Sequence, residues 1–236
     1  MSDNHLRYVA HFDMLGMGRL SLNNPDAAWS AICNLARAKE ESLNLVIEIT
    51  STKTLISDRI KSITFSDTII VFTLLDELED LYAIILLSTQ LFADALKYNV
   101  ALRGGIAHGT FFVNFEHNLY AGPALVNAYN ISESAQWLGI RVDETVAARC
   151  RAIPLMSGTK DAILDWPVPL KDGNTIKAPV INWPYPMRNN FTSSPPFSVD
   201  QFYKGFAPLF GPFSELGDKE KEKYLNTVEF INFCLK

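Results

Sequence analysis

RIKSITFSDTIIVFTLL, residues 59–75, is the stretch that decides the fold. Two runs rich in β-branched residues flank Phe65-Ser66-Asp67. Such runs suit a pleated, half-buried surface, and a short polar break between them reads as a hairpin turn. Asp67 is therefore expected at or beside that turn. Toward the N-terminus, LRYVAHFDMLG (residues 6–16) is an apolar, aromatic run that stops at Asp13. It reads as a buried strand ending in a glycine-containing loop. If the two segments are neighbours in one sheet, Asp13 and Asp67 converge at one edge of it.

Between them, Asn24 is placed to cap a helix that Pro25 opens, with Trp29, Ile32, Leu35 and Ala36 at helical spacing. A second short helix is expected over about 43–49. Downstream, DELEDLYAIILLSTQLFADALKYN (76–99) reads as a helix whose first turn is acidic, the end that favours negative charge. VALRGGIAHGTFFVNF (100–115) reads as two strands around Gly109. GPALVNAYNISESAQWLG (122–139) reads as a helix closed by Gly139, and RVDETVAARC (141–150) as a short strand and a short helix. This order predicts an α+β layout for residues 1–150, with helices on one face of a largely antiparallel, ferredoxin-like sheet. The character changes near Pro154, and Pro and Asn become frequent up to Pro196. KAPVINWP (177–184), bounded by proline, is expected as an edge strand. KEKEKYLNTVEFINFCLK (219–236) is expected as a terminal helix with Tyr224, Leu225, Val228, Ile231 and Phe233 near one face. Residues 151–236 read as a C-terminal extension packed on the core, not as a second domain.

Composition narrows the function classes. The 236 residues are 48% hydrophobic and 20% charged, enough for a full globular core. Net charge is -5 with no basic block, which argues against double-stranded nucleic acid as a partner. The most apolar stretch, 81–96, is broken by Ser88, Gln90 and Asp94 and is too short to span a bilayer. No signal-peptide core is apparent at the N-terminus. The three cysteines, Cys33, Cys150 and Cys234, are scattered and odd in number. They form neither a disulfide framework nor a metal cluster, which points to a reduced, cytoplasmic setting.

Asp13 at a strand mouth is followed by Met14, Leu15, Gly16 and Gly18, where glycines let the backbone turn and aim N–H groups at an anion. Taken alone, Asp13 and Asp67 each also fit a simple turn residue. Together, paired carboxylates at a sheet edge suit hard cations such as Mg²⁺, which keep sites for water and phosphate. Arg103, ahead of two glycines, could reach a phosphate or form a structural ion pair. Arg141 and Arg149 are further candidate cations. His108 and His117 lie too far apart for a clear ligand pair, and no spacing supports zinc.

Four segments in this order resemble the catalytic domain of the class III nucleotidyl cyclases. They are Phe12, Asp13 and Gly16; Phe65, Ser66 and Asp67; Arg103, Gly104, Gly105, Ile106 and Gly109; and Gly122, Ala124, Val126, Asn127 and Ala128. The resemblance covers about the first 150 residues, making them the expected nucleotidyl cyclase catalytic core. It implies Asp13 and Asp67 as catalytic metal ligands, joined by Met14, with two Mg²⁺ or Mn²⁺ ions per active site. It implies nucleotide contacts from Met14, Leu15, Gly16, Ile63, Arg103, Tyr120 and Asn127. It also implies a homodimer with active sites at the interface, and a ribose 3′-hydroxyl attacking the α-phosphate.

The chain departs from the purine cyclases of that family. Ile63 stands where an adenine-reading Lys is usual, and Leu119 or Tyr120 where a second base-reading residue is usual. Ile131, or Asn130, stands where a transition-state Arg is usual. This variant pattern, with a late Ile181-Asn182-Trp183-Pro184, looks like the pyrimidine cyclases of bacterial Pycsar anti-phage systems. That likeness implies UTP, ahead of CTP, as substrate. The cyclic product would activate a separately encoded effector downstream, without direct binding between the proteins. Tyr120 or Tyr129 could stack on the base. Thr64 or Ser66 could read uracil against cytosine. A non-catalytic nucleotide-binding or sensory domain on the same fold is the competing expectation, supported by the missing Arg.

Overall fold

A computed structural model describes residues 5–49, 52–152, 156–157, 160–191 and 196–236. The change of character at Pro154 lies outside them, as does part of the Pro-rich run before Pro196. In chain order the elements begin with β1 (Leu6–Met14), α1 (Met17–Asn23) and α2 (Pro25–Leu43). They continue with β2 (Val46–Ile49), β3 (Thr52–Leu55), α3 (Ile56–Arg59), β4 (Ile60–Phe65), β5 (Thr68–Thr73) and α4 (Leu78–Lys97). Then come β6 (Leu102–Thr110), β7 (Phe112–Asn114), β8 (Leu119–Ala121), α5 (Pro123–Ser134), β9 (Ile140–Val142) and α6 (Glu144–Ala152). The C-terminal part adds β10 (Met156–Ser157), β11 (Lys160–Asp161), β12 (Ile163–Pro169), β13 (Thr175–Ile181), α7 (Val199–Tyr203), α8 (Ala207–Phe210) and α9 (Asp218–Cys234).

The central sheet has seven strands in the order β12-β13-β9-β6-β1-β5-β4. Only the β6–β9 pair is parallel; the other neighbours are antiparallel. This is the expected α+β arrangement around a largely antiparallel sheet. The 59–75 hairpin forms as β4 and β5, with Phe65 paired to Thr68 and Ser66 at φ 55 in the turn. β1 lies between β5 and β6, so the mouth of β1 and the β4–β5 turn do meet.

One face of the sheet carries Tyr8, Ala10 and Phe12 of β1 into the main core with α2 and α4. Asn24 caps α2 by accepting from the Ala27 N–H at 3.1 Å, and Pro25 takes the first helical position. The helix buries Ala28, Ala31, Leu35 and Ala38, whereas Trp29 is exposed. Apart from Leu35, the buried stripe is thus built from small residues that let α2 pack closely on α4. The opposite sheet face carries Val9, His11 and Asp13 and is covered by α5, so helices stand on both faces.

Several local expectations change. Residues 46–49 form a strand paired with β3 instead of a helix, as the β-branched Val46, Ile47 and Ile49 favour. β6 runs through Gly109 and breaks at Phe111. α5 ends at Ser134, where the Ser132 and Ser134 hydroxyls donate to the carbonyls of Tyr129 and Ile131. The chain then runs buried to Gly139, with Trp137 packed edge-on to Phe230 of α9. β13, expected at an edge, lies between β12 and β9. Its pairing with β9 is one bridge, Val180 to Arg141, so a proline interrupts little ladder there. The edge is β12, which holds Pro167 and Pro169. In α9, Tyr224, Val228 and Ile231 are buried with Thr227, Phe230 and Cys234, while Leu225 and Phe233 face out. Among the described residues, no helix is long and apolar enough to cross a membrane.

Candidate functional site

The antiparallel register lines up the α5-facing side chains in rows. Arg103, Asp13, Thr68 and Phe65 form the row at the mouth. Gly105, His11, Ile70 and Ile63 form the next, and Ala107, Val9, Phe72 and Lys61 the third. Asp13 and Asp67 are joined through the backbone, because the Met14 N–H donates to the Asp67 carbonyl at 3.0 Å. Both aspartates are partly exposed.

Arg103 is 2% exposed and lies at the centre of an ion cluster. It donates to Asp13 Oδ2 at 3.0 Å, to the Ala135 carbonyl at 3.3 Å and to Glu133. Lys171 closes the outer side of Glu133 at 2.7 Å. Burial would raise the Glu133 carboxyl, yet Lys171 and Arg103 hold it below its ordinary value. Asp13 goes the other way. Burial pushes it up to about 6, the nearby charges of Glu133 and Asp67 push the same way, and Arg103 only partly offsets them. Desolvation therefore outweighs the ion pair at Asp13.

These residues suit a divalent ion. Asp13 and Asp67 offer hard oxygen donors, and their mutual repulsion in a half-buried site is relieved by a cation. Met14 has its thioether in the core, so only its backbone oxygen is open to such a role. Among the described residues no three His, Cys, Asp or Glu side chains gather into a metal cluster. The site is a two-carboxylate arrangement with its other positions open.

Leu15 is buried and its N–H donates to the Ala101 carbonyl at 2.8 Å. Gly16 takes φ 82, a conformation that favours glycine, and a side chain there would strike the Phe210 ring. Ile63 and Tyr120 belong to a second apolar cluster with Val9, Phe72 and Ala124. The Tyr120 ring lies 5.8 Å from that of Phe72. Phe72 pairs with Val9, four residues from Asp13 along β1, so Tyr120 packs on the third row and not at the mouth. Asn127 is exposed on α5. Thus Asp13, Met14, Leu15, Gly16, Asp67 and Arg103 converge, while Ile63, Tyr120 and Asn127 stand apart from them within one chain.

The other candidates separate by orientation. Thr64 accepts from Lys39 of α2 at 3.0 Å, so it faces away from Asp13. Arg141 donates to the Ile131 carbonyl and the Ser134 hydroxyl, and Arg149 to the Tyr8 hydroxyl and the Asp76 carbonyl. Neither is a free cation. Ile131 packs over Gly105, so that helix position points into the sheet. His11 bonds Ser132 at 3.0 Å, and burial lowers its pKa.

Glu133, Lys171 and Lys223 escaped the sequence reading. Lys223 of α9 interacts electrostatically with both Asp13 and Arg103, and burial, followed by those of Arg103 and Lys171, lowers its pKa. No local pattern ties residue 223 to residue 13, so only the fold reveals it.

No family model matches the sequence, and no curated protein matches it. Solved structures do. A bacterial light-regulated adenylyl cyclase superposes with a TM-score of 0.53 at 9% identity, over 86% of this chain and 57% of that one. This chain thus spans little more than half of that relative's length. The adenylyl cyclase CyaB of P. aeruginosa gives a TM-score of 0.47 at 10% identity, over 75% of this chain and 93% of that one. The catalytic core of a rhodopsin-guanylyl cyclase of converted specificity, bound to ATPαS, gives 0.48 at 10% identity, over 75% and 94%. At such identities the likeness establishes the fold, which is that of the class III cyclase core.

Proposed function

We propose that the chain is a nucleotidyl cyclase that converts a pyrimidine nucleoside triphosphate, UTP ahead of CTP, into its 3′,5′-cyclic monophosphate and pyrophosphate. The meeting of Asp13 and Asp67 at one sheet mouth is the observation that supports this most. Two divalent ions, Mg²⁺ or Mn²⁺, held there would lower the pKa of the ribose 3′-hydroxyl and neutralise charge on the departing pyrophosphate. Asp13 and Asp67, with the Met14 backbone oxygen, would hold them. Arg103 anchors Asp13 from the buried side. The O3′–P bond forms as the bond from the α-phosphorus to the bridging oxygen breaks, and the hydroxyl proton passes to water.

Base choice rests on Ile63 and Tyr120. Ile63 has no donor or acceptor with which to read a purine edge, and Tyr120 presents an aromatic ring in an apolar cluster. Their distance from Asp13 within one chain fits a homodimer in which each active site draws on both copies. The exposed apolar side chains Phe65 (81%), Leu119 (61%), Val126 (56%) and Phe115 (55%) support such an interface. The product would serve as a cytoplasmic second messenger in anti-phage defence. Residues 1–150 would be the catalytic core and residues 151–236 an extension that braces it.

Two observations favour a nucleotide-binding domain without turnover: Arg103 occupies one oxygen of Asp13, and position 131 is an isoleucine, not a cation. Incubation with each of the four nucleoside triphosphates and Mn²⁺ or Mg²⁺, followed by resolution of products, separates the readings. Cyclic UMP or cyclic CMP should appear, and Asp13→Asn or Asp67→Asn should reduce it by roughly a thousandfold. Tight triphosphate binding with no cyclic product would sink the cyclase reading and favour the binding domain.

A further inference from the structure

We infer that Lys223, carried by the C-terminal helix, supplies from within the same chain the cation that grips the terminal phosphates beside Asp13. This rests on the reading of the site as a triphosphate site. It assigns α9 a part in substrate binding that the N-terminal motifs do not encode.

The geometry begins with a cavity of about 40 Å³ lined by Leu15, Gly16, Arg19, Phe210, Glu220 and Lys223. Leu15 and Gly16 lie two and three residues beyond Asp13, so the cavity sits beside the loop that leaves the mouth of β1. It has room for a few water-sized groups and none for a nucleoside, which suits phosphate oxygens. The Gly16 N–H makes no hydrogen bond with any described residue.

The cations around it differ in engagement. Arg103 is held by Asp13 and Glu133, Lys171 by Glu133, and Arg19 by Glu220 at 3.3 Å. The Lys223 ammonium has no hydrogen-bond or ion-pair partner among the described residues. It is nevertheless half-buried, where an unpaired charge is unfavourable. Glu220 also lines the cavity, but Arg19 and the Gly217 N–H already occupy its oxygens. A bound polyanion would complete the set. A lysine suits this role because its compact ammonium carries three rotatable donors on a flexible stem.

Phe210 and Tyr224 fix the arrangement. Phe210 lies against Gly16, and Tyr224 packs edge-on to Tyr203 at 4.7 Å, locking α9 at the turn that bears Lys223. The aromatic packing of the extension thereby sets where the ammonium stands.

Isothermal titration with magnesium tripolyphosphate tests the assignment on the full chain. Lys223→Met should weaken binding about tenfold or more, as expected for loss of a charge-assisted contact. Lys223→Arg should stay within a few-fold of the parent, and the exposed Lys204→Met should match it. Lys223→Gln serves as a second neutral variant should Lys223→Met melt early. Equal affinity in the neutral variants, or no tripolyphosphate binding by the parent, would overturn the inference. Loss of binding in those variants together with no cyclic product from any nucleotide would sink the cyclase proposal alone and leave the anion site standing. With turnover present, the same variants should raise KM more than they lower kcat.

Discussion

His108 shows how far a residue's surroundings outweigh its identity. In the sequence it lay too far from His117 to suggest a ligand pair. In the fold its ring lies 3.3 Å from Asp76 and packs on Tyr8 at 4.9 Å. Burial lowers its pKa below the ordinary histidine value, and Arg149 adds to the shift while Asp76 opposes it. The unfolded chain therefore takes up this proton at higher pH than the folded one. Stability contributed by neutral His108 is complete above about pH 6.5 and is lost as the pH falls through the window below it. The melting midpoint should drop from pH 7 to pH 5, and His108→Gln should flatten part of that slope. His11 shifts in the same direction, so a residual slope should remain. A slope unchanged in His108→Gln would show that His108 is not its source. Neither effect could be read from the sequence, because burial depends on strands distant along the chain.

At the scale of elements, the Arg103-Gly104-Gly105 run was legible as a motif but its physical reason was not. A side chain at Gly105 would meet the Ala128 carbonyl at 2.3 Å and the Ser132 nitrogen at 2.8 Å. Both are backbone atoms of α5 and cannot swing away. Gly105→Ala should force α5 off the sheet and reduce stability by about 3 kcal/mol in urea titrations. Gly18, inside α1, meets nothing within 4 Å, so Gly18→Ala should instead add about 0.5–1 kcal/mol. Equal midpoints for the two variants would refute the close-approach account. The same contact explains Ile131. Its Cβ stands 3.2 Å from where a Gly105 side chain would begin, so this half-buried helix position turns toward the sheet. The missed strand at 46–49 has a different cause: a short β-branched segment reads ambiguously until its partner, β3, is known.

For the whole molecule, the apolar side chains left in solvent call for a partner surface. The β7–β8 arm and α5 together expose Phe115, Leu119, Val126 and Tyr129. If two copies bury them, sedimentation should show a dimer that dissociates on dilution, with cyclase activity falling in step. Phe115→Asp combined with Leu119→Asp should yield a folded monomer with the parent melting profile and little activity. Full activity in such a monomer would rule out a shared active site. The sequence by itself determined most of the long strands and helices, the 59–75 hairpin and the placing of Asp13 and Asp67 at strand mouths. Those features follow from local periodicity and turn chemistry, which a chain expresses without its distant parts. Only the tertiary structure decided that Arg103 clamps Asp13, that Tyr120 lies away from it, and that Lys223 comes within its electrostatic reach. Such distances are set by sheet order and by the docking of α9, and no local pattern records them. The paired aspartates were thus legible early, whereas the cations around them emerged only when residues far apart along the chain were packed together.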